Sequence, residues 1–430
     1  MVPHLVTALA GPVNELEQRV LDSMPAIERW FRLEWMEHTP VFYSAVRVRN
    51  AGFKLASVET SLFPDGWNNL TTEMLPLAVQ AAMAAIEKIC PEARNLLLIP
   101  ENRCESTSYL ASVAQLARIF HRAGLNTRIG SIDPAIKKPT TLAWSGGESL
   151  LLEPVIRTRR RLGVKDFDPC TILLNNDLRA GAPGILEDIH EQYLLPPLHA
   201  GWAIRRRSRH AKCYEEVAKR LGKLLGVDPW LIHPLFDQWP GFSAGDEVGW
   251  TGLAGRIEAL LLKIRRKYKE YGIKERPFVV LKADHASLAT DLAVVREAKD
   301  IEGLRRELQA GKLASSEDGL CCDVLLQEGV LALERMNDAV AEPVVYTMDR
   351  HVVGGFYRVC TEAGAGEPGS RGAKFVPLAF EQGTHLPQFG MRPGVSGPNR
   401  FYMYGVVARL ALLAASYELE ATDPDAEAYE

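Results

Sequence analysis

Charged and amide side chains concentrate between residues 47 and 69 of this 430-residue chain. Val46-Arg47-Val48-Arg49 alternates as a strand does, and the chain turns back through Asn50 to Lys54 before a second extended stretch that contains Glu59. Guanidiniums, an ammonium and amides such as Asn68 and Asn69 beside one carboxylate suit a zwitterion, because forked donors hold a carboxylate and an acid holds an amine. An ordinary salt bridge on a surface turn explains the same residues equally well.

A second set of residues with chemical potential lies in the C-terminal half. Lys282 ends one apolar stretch, Gln327-Glu328-Gly329-Val330 ends another, and Arg350 and Arg358 lie on one predicted hairpin. A lysine can neutralise phosphates, a hinge with a carboxylate can bind adenine and ribose, and arginines can stabilise a phosphoryl group in transfer. These residues predict a nucleotide cleft, and the solvated face of a sheet is the alternative.

Other sequence motifs are weaker evidence of a functional site. Residues 364–369 match G-x-G-x-x-G, but a strand-like stretch follows where a dinucleotide site needs a helix. Residues 241–245 match the nucleophile elbow G-x-S-x-G, but their neighbours do not predict the strand and helix that it requires. The adjacent Cys321 and Cys322 are poorly spaced for zinc. The basic runs Arg157–Arg161 and Arg205–Arg209 are interpreted first as solvated faces.

The elements that must position these residues are of two kinds. Residues 96–99, 109–123 and 127–130 predict a strand, a helix and a strand, which is a βαβ unit with parallel strands. Thr171-Ile172-Leu173-Leu174 predicts a further strand of that sheet. Asn175-Asn176-Asp177 follows at the carboxyl end, where open α/β sheets usually bind ligands.

Beyond a helical middle region the pattern changes to antiparallel strands. Helices are predicted at 214–225 and 257–271, and Met348 to His351 predicts the reversal of a hairpin whose second arm carries the bulge-prone Gly354-Gly355. The predicted domains are an α/β substrate-side domain at 1–165, a middle region at 166–272 and a C-terminal lobe at 273–430. The C-terminal strands are predicted at 278–281, 324–327, 343–348, 352–359 and 375–380.

Composition excludes several classes of protein. With 47% hydrophobic and 24% charged residues the chain is not disordered, and a net charge of −4 argues against a nucleic-acid partner. Seven cysteines without a C-x-x-C pair favour the reducing cytoplasm over a disulfide framework. The N-terminus lacks a basic leader, and Val406–Ser416 is about half as long as a membrane span, so it is interpreted as a buried helix.

Many of these segments together resemble the proteobacterial glutamate-cysteine ligases of the type described in iron-oxidising acidophiles. The similarity runs in order from about residue 40 to 420. The segments that carry it are Arg49–Leu55, Leu62–Pro64, Asn68–Leu70, Asn175–Leu178, Gly201-Trp202, Asp228–Trp230, Lys267–Ile273, Pro277–Val279, Lys282–Asp284, Gln327–Val330, Glu342–Tyr346, Val352–Arg358 and Asn399–Leu410.

The resemblance implies a fold, a reaction and a set of site residues. The fold would be an N-terminal α/β substrate domain followed by an ATP-grasp domain with mainly antiparallel sheet, an α/β and α+β architecture. ATP and Mg²⁺ would serve to phosphorylate the γ-carboxylate of glutamate, and the amine of cysteine would then attack the acyl phosphate. The implied residues are Lys282 and Asp284 on the phosphate side, Gln327, Glu328 and Val330 at the adenine and ribose hinge, Arg358 at the transferred phosphoryl group, and Arg49, Asn50, Lys54, Glu59 and Asn69 on the amino-acid side. Asp349 and Glu381 are magnesium candidates by position and charge.

One departure from the family pattern separates two hypotheses. After Lys282-Ala283-Asp284 the family has a glycine-rich phosphate loop, whereas residues 285–290 of this chain, His-Ala-Ser-Leu-Ala-Thr, contain no glycine. Side chains there oppose close backbone approach to phosphates. The first hypothesis is an active ligase, and the second is a non-catalytic relative that binds a nucleotide, an amino acid or a ligase subunit.

Overall fold

The computed structural model describes residues 5–6, 12–102, 106–144, 147–243, 245–285, 293–309, 321–336, 339–360, 374–378 and 401–424. The helices of this part are α1 Pro12–Asp22, α2 Met24–Glu37, α3 Leu75–Ile89, α4 Thr107–Arg122, α5 Arg207–Leu225, α6 Glu247–Glu270, α7 Ile301–Gln309 and α8 Phe401–Glu420.

The strands of the N-terminal half are β1 Leu5–Val6, β2 Tyr43–Asn50, β3 Leu55–Ser61, β4 Asn95–Pro100, β5 Asn126–Ser131, β6 Thr140–Ala143, β7 Ser149–Pro154, β8 Ile156–Thr158, β9 Arg161–Gly163, β10 Thr171–Asn175, β11 Tyr193–Leu195 and β12 Phe236–Ser243. Those of the C-terminal half are β13 Val279–Ala283, β14 Ala293–Val295, β15 Cys321–Glu328, β16 Arg335–Met336, β17 Ala339–Met348, β18 His351–Cys360 and β19 Lys374–Pro377.

The apolar run Leu96 to Ile99 forms the centre of a mainly parallel sheet, as predicted, and the edge strand β6 pairs antiparallel with β7. The four side chains of the run are fully buried, because helices and neighbouring strands cover both faces of such a sheet. The strand order is β11-β10-β4-β5-β7-β6, and β4 pairs in parallel with both β10 and β5. The polar residues after Asn175 therefore lie at the carboxyl edge beside Glu101, which follows β4 and accepts a hydrogen bond from Asp177 N (2.7 Å).

A seven-stranded antiparallel sheet combines the two ends of the chain. It runs β1-β16-β17-β18-β19, and β2 pairs with β17 and carries β3 on its other edge. The predicted hairpin between β17 and β18 is confirmed, with Asp349 at φ 49° in its turn. Close backbone approach at the predicted bulge is confirmed too, because a Cβ on Gly355 would lie 2.5 Å from the carbonyl oxygen of Val344.

A four-stranded antiparallel sheet, β12-β15-β13-β14, completes the C-terminal half. The predicted helix at Val406–Ser416 is the centre of α8, and it is buried nearly all round, which explains why it is apolar on every face. The mixed fold class is therefore confirmed. No helix among the described residues is long and apolar enough to cross a membrane.

Strand β12 was not predicted. Its sequence contains Pro240 and Gly241, which are rare inside strands, and the register against β15 shifts between Trp239 and Phe242. The expected absence of strand and helix around residues 241–245 is thus wrong, since β12 extends through Ser243 and α6 begins at Glu247. β12 nevertheless belongs to an antiparallel sheet, unlike the strand of an α/β-hydrolase elbow. Residues 364–369 lie outside the described residues.

Candidate functional site

A cavity lies where β3, the first turns of α5 and the four-stranded sheet meet. It combines residues from both predicted sets, because Glu59 lines it together with Lys282 and Gln327. The helix contributes the face with Arg207, His210, Ala211 and Tyr214, whose spacing of three and four residues places them on one side of α5. The remaining lining residues are Ser57, Val58, Thr60, Trp202, Arg205, Pro234 and Leu325.

Arginine and glutamate side chains alternate across the adjoining part of the seven-stranded sheet. Strand register places Arg47 opposite Glu59 and Arg358 opposite Glu342. Arg47 donates to Glu59 (2.5 Å), and Arg49 donates to Glu342 (2.5 Å) from the other side. The guanidinium of Arg358 lies 3.9 Å from Glu342. Cross-strand pairing thus holds three guanidiniums and two carboxylates in one row beside the cavity.

Positive charge dominates the surroundings of Glu59. Burial raises the pKa of Glu59, but the charges of Arg47, Lys282, Arg207 and Arg358 offset that effect and hold the pKa below its ordinary value. Burial likewise raises the pKa of Glu342, and Arg49, Arg47 and Arg358 lower it by more. Both carboxylates are therefore ionised at neutral pH, within a field that attracts anions.

Lys282 is buried on β13 and reaches across to β3. Its Nζ donates to the carbonyl oxygen of Val58 (2.9 Å), and its charge acts on the neighbouring Glu59. A lysine so placed joins the predicted phosphate side to the predicted amino-acid side. This contact places Lys282 beside Glu59, one residue from each set, whereas the roles predicted for them stay predictions.

Asp284 lies two residues further along the chain and binds the N-terminus of α5. Its carboxylate accepts hydrogen bonds from the backbone N (2.6 Å) and hydroxyl (2.7 Å) of Ser208 and from Gln238 (3.2 Å). With 1% of its surface exposed, the carboxylate satisfies helix N–H groups and complements the helix dipole. Asp284 therefore holds α5, and through it Arg207, against β13.

Lys54 and Glu328 were predicted to contact different substrates, but they bind each other. Lys54 Nζ donates to Glu328 (2.6 Å), which also accepts from Trp230 Nε1 (3.1 Å) and Leu235 N (2.8 Å). Lys54 lies over the Trp230 ring at 4.1 Å and is fully buried. Burial lowers its pKa to about 8, although Glu328 raises it in part. Neither side chain lines the cavity.

Two more predicted residues serve internal contacts. Asn50 is buried, donates to Glu334 (3.1 Å) and accepts from Gly52 N (2.9 Å). The carbonyl oxygen of Val330 accepts from Arg49 (3.3 Å), so the end of the predicted hinge is fixed to the arginine and glutamate row.

Asn69 and Asp349, two further predicted residues, do not line the cavity. Asn69 is in the 3-10 turn Trp67–Asn69, beside Gly66. Asp349 lies at the turn of the β17–β18 hairpin, seven positions from Glu342 and so at about 20 Å. Glu381 lies outside the described residues. In the part of the chain that the structure describes, no group of three or more His, Cys, Asp or Glu residues could hold a metal ion.

The most informative residues that sequence reasoning missed are in the second basic run. Arg205 is only 2% exposed and donates twice to Glu418 of α8, at 3.0 and 2.8 Å, so its interpretation as part of a solvated face is wrong. Arg207 stacks on Trp202 at 4.7 Å and donates to the carbonyl oxygen of Ala283 (2.6 Å). The available signals were the helical spacing of Arg207 and His210 and the position of Glu418 within the apolar α8.

The structure thus defines an α/β and α+β protein with a basic, partly buried cleft lined by residues of both its N-terminal and its C-terminal parts. A model of the family "Glutamate-cysteine ligase" matches residues 17–419. The chain belongs to the glutamate-cysteine ligase family.

Comparison with solved structures agrees with this assignment. A crystal structure from Methylobacillus flagellatus KT, provisionally described as a gamma-glutamylcysteine synthetase, is 51% identical, with 98% of this chain and 100% of that chain covered and a TM-score of 0.89. A glutathione synthetase-like effector from Globodera pallida in its apo form is 11% identical over 84% of this chain and 86% of that chain, and its TM-score of 0.40 is too low to carry an argument. No curated protein matches the chain.

Proposed function

We propose that this protein joins the γ-carboxylate of glutamate to the amine of cysteine through an acyl phosphate, using ATP and Mg²⁺ in an ATP-grasp arrangement. Family membership supports the ligase class. The observation that carries the proposal to this cavity is the cluster of basic side chains around Glu59, because Arg47 donates to it and Lys282 and Arg207 line the cavity with it. Such a field favours binding of a phosphorylated, multiply negative ligand and stabilises charge that moves during phosphoryl transfer.

In this proposal, different residues bind different groups of the substrates. Lys282, which lines the cavity, and Arg358, whose charge acts on Glu59 from β18, neutralise the transferred phosphoryl group. Arg47 and Arg49, on one face of β2, hold the α-carboxylate of glutamate through forked donors. Glu59 holds an ammonium group, since it stays ionised at neutral pH.

A non-catalytic relative that binds a nucleotide, an amino acid or a ligase subunit is the second candidate. Two observations favour it. The cavity has a volume of about 50 Å³, well below the roughly 300–1,000 Å³ of typical ligand pockets. The carboxylate of Glu328 is held by Lys54 and Trp230 rather than offered to a ribose.

One assay separates the two candidates. The purified protein with ATP and Mg²⁺ should release phosphate only when both glutamate and cysteine are present, and the product should have the mass of γ-glutamylcysteine. No release, with nucleotide binding by calorimetry retained, would favour the non-catalytic candidate. Absence of both phosphate release and nucleotide binding would eliminate the ligase proposal.

Arg358→Lys tests the role of the arginine at the phosphoryl group. It keeps the charge but loses the forked donors, so kcat should fall by about tenfold or more. Arg122→Lys, on an exposed position of α4, is the matched control and should leave kcat unchanged.

Introducing glycines at Ala286, Leu288 and Ala289 should raise kcat if the glycine-poor segment limits the wild-type enzyme.

A further inference from the structure

A hydroxyl, an imidazole and a carboxylate form a chain of hydrogen bonds at one wall of the cavity. Thr60 Oγ1 lies 3.1 Å from His210 Nε2, and His210 Nδ1 lies 3.1 Å from Glu418 Oε2. The three residues come from β3, α5 and α8, so no stretch of sequence suggests the arrangement. Thr60 and His210 line the same cavity as Glu59 and Lys282.

The surroundings fix which nitrogen of His210 is basic. Burial raises the pKa of Glu418, but Arg205 and His210 lower it to about 2, so Glu418 is an acceptor at neutral pH. Its Oε2 accepts the Nδ1–H of a neutral imidazole, which leaves the lone pair on Nε2 facing the hydroxyl of Thr60. Two bonds from Arg205, itself bonded to the carbonyl oxygen of Thr60 (3.2 Å), hold the carboxylate in place.

This arrangement suits removal of a proton from a group bound in the cavity. The hydroxyl of Thr60 can donate to His210 while its oxygen accepts a proton from a neighbouring group, so it can relay that proton. An amine needs such a step before it attacks an acyl phosphate, because its ammonium form has no lone pair.

We propose, resting on the ligase function above, that His210 accepts a proton from the ammonium group of the incoming amino acid through Thr60, with Glu418 as the positioning residue. The ammonium becomes an amine and the imidazole becomes an imidazolium. The nitrogen lone pair then forms the C–N bond, and phosphate leaves with the electron pair of the broken C–O bond. The second proton of the attacking nitrogen passes to the departing phosphate.

Several charged or titratable groups adjoin His210 at this wall of the cavity. Arg205 compensates the charge of Glu418, and Arg207 and Lys282 share the cavity. Among the described residues, the charged or titratable neighbours of His210 include Glu59, Arg205, Arg207, Cys213, Tyr214, Lys282 and Glu418.

A pair of substrates tests the role of His210 directly. Cysteine is an ammonium at neutral pH and needs a base, whereas hydroxylamine is largely unprotonated there and needs none. His210→Gln should reduce cysteine-dependent amide formation at pH 7 by about 10²-fold or more. It should change hydroxamate formation from glutamate and hydroxylamine by less than about threefold.

Substitutions at Thr60 test the proton relay, and they keep the proposal testable if the His210→Gln variant does not fold. Thr60→Val has the same shape without the hydroxyl, so it should lose cysteine-dependent activity and keep hydroxamate formation, while Thr60→Ser keeps both. An equal fall of both activities in His210→Gln and Thr60→Val would overturn the proposal and leave a structural tie between β3, α5 and α8. A wild-type protein that is inactive with both amines would overturn the ligase function, and the proposal with it.

Discussion

Lys54 and Lys282 show how burial assigns two chemically equal residues to different tasks. Lys54 is enclosed by Trp230 and the carboxylate of Glu328, whereas Lys282 lines a cavity beside Glu59. The sequence signals for the two lysines were similar, since each adjoins a strand-like stretch: Lys54 ends the turn before one, and Lys282 ends another. The two lysines differ in the side chains that contact them from distant parts of the sequence, and the spacing of residues does not predict those contacts.

The buried Lys54–Glu328 pair should be costly to break on one side. Lys54→Met or Glu328→Gln leaves a partner without its counter-charge, so each should lower the free energy of unfolding by about 3–5 kcal/mol. The combination Lys54→Met with Glu328→Leu removes both charges and should cost clearly less than the sum of the single changes. Urea unfolding measures all three. A single variant that loses under about 1 kcal/mol would contradict the enclosed pair.

Glu418 should make stability depend on acid pH. Its folded pKa of about 2 is below the ordinary value of 4.5, so its contribution is present above pH 4.5 and is lost as the pH falls towards 2. The wild-type protein should exceed Glu418→Gln in unfolding free energy at pH 5, and this gap should narrow by roughly 2 kcal/mol by pH 2.5. Urea midpoints at matched pH provide the measurement. A gap that stays constant with pH would show that Glu418 titrates normally.

Helices bring the side chains of the cavity together at the scale of elements. The first turns of α5 hold Arg207 and His210 on one face, and its N-terminus is capped from outside by Asp284 of the neighbouring β13 region. Helix α5 was predicted to begin at residue 214, seven residues too late, because its cap comes from a residue 76 positions away. A cap that is distant in sequence leaves no local start signal.

The cap at Asp284 should matter for both stability and the site. Asp284→Ala removes the acceptors for Ser208, so we expect a loss of about 1–2 kcal/mol and a higher KM for the anionic substrate, since Arg207 loses its support. Asp246→Ala is the matched control, because Asp246 caps α6 through Val248 N (3.0 Å) on an exposed surface. It should cost about 0.5–1 kcal/mol and leave KM unchanged. If Asp284→Ala had the same KM as Asp246→Ala, the cap at Asp284 would have no role in substrate binding at the cavity.

The antiparallel sheet connects the N-terminal and C-terminal parts at the scale of the whole molecule. Strand β2 pairs with β17 from Tyr43↔Met348 to Arg47↔Val344, so partners lie about 300 positions apart in sequence. Buried residues of both parts belong to one hydrophobic cluster. The boundaries at residues 165 and 272 remain predictions, but a sheet and a core extend across them.

The sequence predicted elements better than it predicted their partners. Apolar runs such as Leu96 to Ile99 identified the parallel strands, because burial on both faces leaves a continuous signal. The pairing of β2 with β17 and the contact of α8 with Arg205 depend on long-range packing. The same limit applies to the site. Glu59 and Lys282 were found from residue type, whereas Thr60, His210 and Glu418 acquire a shared role only after three elements meet.

The shared sheet implies that the chain cannot be divided at the predicted junction near Gly272 into two stable halves. A fragment of residues 1–272 would lose the partner of β2 and expose apolar side chains such as Val46 that are fully buried in the whole chain. We expect this fragment to lack a cooperative thermal transition and to aggregate, and we expect residues 273–430 alone to do the same. Co-expression of the two fragments should recover a soluble complex with one transition by circular dichroism, because the cut lies after Tyr271 in a turn where Gly272 has a φ of 65°. A cooperative melt of the 1–272 fragment by itself would show that the N-terminal part folds independently and that pairing with β17 is dispensable.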